Sequence, residues 1–204
     1  FQKIEIFEST DWGNVMLIDG AMMLTTRDNF FYHEMISHPV LFTHAAPRRV
    51  VIIGGGDCGT LREVLKHEGV ESATQCDIDE QVTRMAEKYF PELCDSNNDA
   101  RAELLFDDGV AYMANCAPGS VDVVIVVDIG NPLRDRKDLS TVLDVMNQSI
   151  NLMMRKNSEA QLETLEADDV LILPPLAGFG VADFNRGEQM IDAGYRAGDM
   201  VSPN

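Results

Sequence analysis

The chain has 204 residues, 45% of them hydrophobic, which suits one substantial domain or a domain with an appendage. Asp and Glu outnumber Lys and Arg 34 to 16, for a formal charge of -18. That balance argues against nucleic acid or an anionic membrane as partner and is compatible with cationic ligands.

The first 30 residues read as β structure. FQKIEIFES alternates and sets Ile4 and Ile6 on one face, and NVMLIDGAMMLTT holds a turn signal between two apolar runs. FFYHEMISHPVLFTHA has helical spacing through Phe31, Met35 and His38. RRVVIIGGGD is a short apolar strand running into glycines, and LREVLKHEG a helix ended by Gly69. ESATQCDID is a strand, EQVTRMAEKYFPEL a helix to about Pro91, RAELLFDDG a strand, VAYMANCA a short helix and VDVVIVVD a strand. Alternating β and α units of this length predict an α/β fold, a Rossmann-like parallel sheet of methyltransferase type behind a small N-terminal β region. After Asp128 the texture changes. NPLRDRKDL is a polar loop, a helical period follows from about 140 to 165, DDVLILPPL is a strand, and VADFNRGEQMIDAGYRAG is a last helix with Asp183 as N-cap. These make a helix and strand appendage.

Four cysteines, at 58, 76, 94 and 116, show no metal spacing, so free thiols in a reducing cytosol and no metal are expected. No leader-type or bilayer-length apolar run occurs, and a cytoplasmic protein without membrane contact is expected.

Gly54, Gly56 and Gly59 satisfy GxGxxG between a strand and a helix, and Asp77 lies about 20 positions on, where a ribose-binding acid belongs. Asp57 sits inside the loop. A carboxylate there repels a diphosphate and attracts an ammonium or sulfonium, which turns the reading from a nicotinamide dinucleotide to an adenosyl-sulfonium ligand. The other strand ends are also acidic: Asp77 and Asp79, Asp107 and Asp108, then Asp128. Helix capping accounts for Asp79 and Asp107 without any ligand. A carboxylate at all four ends is better explained by a negative crevice.

FQKIEIFES, LIDG, TRDNFFYHEM, GGGDCGTLREVLKH, CDID, KYFPEL and FDDG, in this order, make residues 1–127 resemble the spermidine synthases, the polyamine aminopropyltransferases. The resemblance implies transfer of an aminopropyl group from decarboxylated S-adenosylmethionine, a co-substrate rather than a cofactor, to an amine such as putrescine. It implies donor binding by Gln2, Gly54, Gly56, Asp57, Asp77, Asp108 and Gly109, with Asp77 standing where the family usually has Glu. It implies amine binding by Tyr32, His33 and Asp57. The family's catalytic base is the first Asp of a D-x-x-D-P motif, which Asp128 approximates, with Asn131-Pro132 in place of Asp-Pro. A free amine is cationic at neutral pH, so a carboxylate that both binds it and takes its proton suits the chemistry. A homodimer is the expected assembly.

The segment from about 121 to 204, through VLDVMNQSINLMMRKN, LEADDVLILPPLAGF and the last helix, resembles the C-terminal part of patatin-like phospholipases. The chain then reads as a chimera: 1–35 an N-terminal β region, 36–130 the nucleotide-binding domain, 131–204 the patatin-like segment. Three other functions stay open. The chain is a catalytically dead nucleotide-binding or structural fusion protein. It is a lipid hydrolase fragment, against which the missing G-x-S-x-G elbow counts. Or it binds a nicotinamide dinucleotide, which Asp57 disfavours.

Overall fold

The structure is a computed structural model; it describes residues 2–126 together with Gln189 and Arg196. The chain divides into two compact units, Phe1–Val127 and Asp128–Asn204. The expected loop, helices and strand beyond Asp128 lie outside the described residues, apart from helical conformation at Gln189 and Arg196.

Strands β1 (Ile4–Ser9), β2 (Gly13–Ile18) and β3 (Ala21–Thr25) form an antiparallel meander. Asp19 and Gly20 join β2 to β3 with φ of 51° and 81°, and Ile18 faces Ala21 across them. Two left-handed residues in a two-residue loop match the right-handed twist of a hairpin. Ile4 and Ile6 share a face, as the alternation predicts, and pack on Met16, Leu24, Val82, Ala86, Phe90 and Leu93.

Helix α1 (Asn29–Thr43) follows. Its buried face is Asn29, His33, Ser37 and Leu41, whereas Phe31, Met35 and Phe42 are well exposed. The stripe through Phe31, Met35 and His38 is helical in period, yet it is not the face that packs inward. Period fixes the element but not which of its faces meets the sheet, and here the close approach of α1 to the glycine loop selects His33 and Ser37.

The second sheet is parallel throughout, in the order β6-β5-β4-β7, with β4 Arg49–Ile53, β5 Ser72–Asp77, β6 Ala102–Phe106 and β7 Val123–Val126. Val50, Ile52, Ala73, Val123 and Ile125 bury against Leu61, Val64, Leu65 and Val70, whereas Val124 on the other face of β7 is exposed. Helix α2 spans Gly59–Leu65 and stops four residues short of the expected Gly69. Lys66 N–H donates to the Glu63 carbonyl and His67 N–H to that of Val64, bonds that tighten the last turn, after which Val70 turns into the core. Helix α3 is Glu80–Tyr89, followed by a 3-10 turn at Pro91–Leu93, and α4 is Gly109–Asn115.

The sheet grows outward from β4 in both directions, to β5 and β6 on one side and to β7 on the other. Its strand order therefore reverses between β4 and β7, and ligands of open α/β sheets bind at the carboxyl ends beside such a reversal.

Candidate active site

The loop after β4 is built by backbone constraint. Gly54 and Gly55 take φ of 83° and 72°, and Cys58 takes 69°, a left-handed conformation that costs a non-glycine residue. Gly54 N–H donates to the Cys76 carbonyl at 2.8 Å, which pins the loop to β5. A Cβ on Gly56 would stand 2.8 Å from Asp77 Oδ2, and one on Gly59 would stand 2.2 Å from the His33 ring. Both positions need glycine because functional candidates press directly on the backbone.

Asp57, at the tip, accepts the Gly59 N–H through Oδ1 at 2.8 Å. The same oxygen lies 3.1 Å from His33 Nε2. His33 is 1% exposed, yet neither ring nitrogen makes an aligned hydrogen bond within the described residues. Buried polar atoms in that state are uncommon and need a partner. Tyr32 stands edge-on to His33, with ring centroids 5.4 Å apart. Partial burial and then the Asp57 charge push its phenol above the ordinary tyrosine range. Tyr32, His33 and Asp57, expected together on the amine side, are thus brought together by α1 and the glycine loop.

Asp77 ends β5 and takes two amides, Gly56 N–H on Oδ2 at 2.8 Å and Asp79 N–H on Oδ1 at 2.9 Å. Burial raises its pKa; the two amides oppose that, and the charges of Asp79 and Asp57 add to it. Asp79 caps α3 by accepting Gln81 N–H, as the capping reading predicts. Its other oxygen accepts the Gln2 N–H at 3.3 Å. Gln2 therefore reaches the rim, through its backbone, beside Asp77.

The expected cap at Asp107 is a correction. Asp108 is the N-cap of α4, with Oδ1 accepting from Val110 and Ala111, whereas Asp107 only receives the Asp108 N–H. The reason is spacing. A cap binds amides two and three residues on, and α4 starts at Gly109, so only Asp108 is in reach. Gly109 also has a packing duty that its motif did not signal, since a Cβ there would meet Ile53 Cγ2 at 2.6 Å.

Capping and amide contacts thus engage Asp57, Asp77, Asp79, Asp107 and Asp108 alike, more than capping alone was expected to explain. Within residues 2–126 no Lys or Arg forms an ion pair with any of the five. Second oxygens of Asp57, Asp107 and Asp108 meet no donor there. The rim is a set of carboxylates oriented by backbone and, within residues 2–126, without a paired Lys or Arg, an arrangement that attracts a cation. Asp128, with Asn131 and Pro132, lies outside the described residues. Among the described residues no cluster of His, Cys, Asp and Glu is arranged to hold a metal, and no helix is long and apolar enough to cross a membrane. Sequence reasoning missed Cys94, whose thiol lies against the Asp57 carbonyl at 3.9 Å; no spacing rule links it to the loop, because the contact arises only when the turn after α3 folds back.

Residues 29–152 match the model of the spermine/spermidine synthase domain, and residues 1–26 that of the spermidine synthase tetramerisation domain. Polyamine aminopropyltransferases of Xanthomonas campestris pv. campestris and Xanthomonas axonopodis pv. citri are 87% identical to this chain over 126 residues, 62% of this chain and 44% of each relative. The spermidine synthase of Thermotoga maritima superposes with a TM-score of 0.60 at 44% identity, covering 62% of this chain and 44% of that one. A spermidine synthase solved in complex with the transition-state analogue AdoDATO matches equally well, with a TM-score of 0.60. The chain spans 44% of the length of the curated relatives it matches. With the domain model covering more than half of its residues, the chain belongs to the spermine/spermidine synthase family.

Proposed function

We propose that this chain carries the donor side of a spermidine synthase-type aminopropyltransferase, binding decarboxylated S-adenosylmethionine and presenting its aminopropyl group to putrescine. One observation carries the reading. Asp57 and the buried His33, whose ring nitrogens make no aligned hydrogen bond among the described residues, stand 3.1 Å apart at the mouth of a glycine loop, in an acidic rim without a paired Lys or Arg within residues 2–126. The sulfonium and the donor's ammonium are cations that such a rim favours. Asp77 stands at the ribose position, Asp108 and Gly109 beside the adenine, Gly54 and Gly56 under the nucleoside, and Gln2 closes one side. Tyr32 and His33 flank the amine. Asp128 is the proposed base; it takes the proton of the attacking amine while the thioether leaves uncharged, so no acid is required.

The assembly proposed is a homo-oligomer, supported by the match of residues 1–26 to a tetramerisation domain, and the compartment proposed is the cytoplasm. The division at 1–35, 36–130 and 131–204 is kept, with α1 bridging its first boundary.

A second reading has its own support. Relatives 86–87% identical align over only 126 of the 204 residues. Near-identity that ends within a chain suits a join, with the patatin-like pattern beyond it, and a protein that binds donor without turnover. Against this, the family-model match runs on to residue 152. Calorimetric titration with decarboxylated S-adenosylmethionine, followed by an assay with putrescine, separates the two. Heat and product establish the enzyme, heat without product establishes the binder, and no heat from folded protein removes the donor site.

A further inference from the structure

Beneath the glycine loop lies a small cluster of sulfur and amide groups that the proposed reaction does not use. Cys58 is fully buried, and its thiol donates to the Gly56 carbonyl at 3.6 Å. Half-buried Cys94, from the turn after α3, donates to the next carbonyl of the same loop, that of Asp57, at 3.9 Å. The two sulfurs thus rest on consecutive carbonyls of the loop. Gln75 Nε2 also donates to the Cys58 sulfur, at 3.6 Å, and the Asn97 carboxamide lies beside it. Cys94, then Gln75 and Asn97, lower the Cys58 pKa against the effect of burial, while neighbouring Cys58 and burial push the Cys94 thiol up.

We propose that Cys58 and Cys94 are a modification site, a dithiol that a hydroperoxide converts into a disulfide across the base of the glycine loop. The half-buried Cys94 meets the oxidant. Cys94 loses its proton to solvent, and its thiolate attacks the peroxide, breaking the O–O bond to give a sulfenic acid and hydroxide. Hydroxide takes the proton from Cys58 and leaves as water. The Cys58 thiolate then attacks the Cys94 sulfur and displaces the second oxygen, also as water once protonated by solvent. Two thiols lose two electrons in total, and one peroxide becomes two waters. The sulfurs must close to about 2.05 Å, which draws Cys58 toward the turn after α3. Asp57 is its neighbour in the chain, so its carboxylate leaves the position that Gly59 N–H and His33 now define. This consequence for ligands rests on the donor-site reading; the bridge itself does not.

The test treats the reduced full chain with hydrogen peroxide, quenches in acid with a thiol-blocking maleimide and maps the peptides by mass. A dithiothreitol-reversible Cys58–Cys94 bridge is expected, absent in Cys94→Ser and also in Cys58→Gly, which keeps the positive φ at no steric cost. Affinity for methylthioadenosine falls about tenfold or more in the oxidised wild type and does not change when Cys94→Ser is treated. Recovery of both residues as blocked free thiols, or a bridge to Cys76 or Cys116 instead, overturns the proposal. A mapped bridge in a protein whose reduced form binds no methylthioadenosine upholds the thiol pair and overturns the donor site.

Discussion

The two ends of the parallel sheet treat their carboxylates in opposite ways. At the amino end each has a cation. Asp122 binds the Arg49 guanidinium at 2.6 Å, Asp99 binds Arg101 at 2.8 Å, and Glu71 lies 3.8 Å from Arg48. The Arg49 guanidinium holds Asp122 at about 2, and Arg101 holds Asp99 at about 2. At the carboxyl end Asp77 is shifted the other way, upward, by burial and by neighbouring anions. One end is neutralised from within the chain. Within residues 2–126 the other meets backbone amides and His33 but no Lys or Arg. Carboxylates ordered on a rim without a cationic side-chain partner mark a candidate binding surface.

The strongest test of that contrast is at Asp57. Asp57→Asn keeps a side-chain oxygen for Gly59 N–H and removes the charge. Affinity for decarboxylated S-adenosylmethionine is expected to fall by about 10- to 100-fold, the range for a hydrogen bond to a charged group, with the melting temperature unchanged. Calorimetry gives the first number and thermal unfolding the second; equal affinity in the mutant would place the cation elsewhere.

Next in size is Gly59→Ala. Its Cβ would lie 2.2 Å from the His33 ring, so α1 or the imidazole must move, at about 1–3 kcal/mol. Denaturant unfolding measures this, and His33→Ala in the same background should recover most of the loss. Recovery shows that the clash is with His33 alone; its absence shows that the loop backbone is strained as well.

How much of this was legible depends on the range of the interaction. The glycine spacing, the hairpin at Asp19-Gly20 and the β/α alternation are local, and each element appears where its residues place it. Asp79 as a cap was legible for the same reason. Asp108 displaced Asp107 as the α4 cap because helix starts are uncertain by a residue or two, and one residue decides which carboxylate reaches the amides. The buried face of α1 was not legible, since Phe31, Met35 and Phe42 advertise a core that His33 and Ser37 take up instead. Nor was Cys94, whose contact with the Asp57 carbonyl spans 37 residues. The expected role of Gln2 comes from motif resemblance, and no spacing rule supplies it, whereas the spacing after the glycine loop also points to Asp77.

Asp79→Ala asks whether rim carboxylates also hold the fold. It removes the α3 cap and the Gln2 tether, and a cap is worth about 1 kcal/mol. A loss near that value in urea unfolding, with ligand affinity little changed, assigns Asp79 to structure and leaves Asp57 and Asp77 as the working anions.

The smallest effect belongs to the amino end, where pH gives it a sign. Asp122 accepts the Arg49 backbone N–H as well as its guanidinium, joining the start of β4 to the start of β7. Its folded pKa of about 2 lies below the ordinary 3.8, so the ionised form is favoured by folding. That contribution is complete above the ordinary carboxylate value and fades as pH falls toward the folded one. Asp122→Asn should therefore melt below wild type at pH 7, with the gap closing progressively between about pH 4 and pH 2. Raised salt should narrow the gap at pH 7, because the pair is solvent-accessible and screened. A gap that persists undiminished at pH 2 would mean the side chain acts through packing, and the electrostatic contrast between the two ends of the sheet would lose its amino-terminal half.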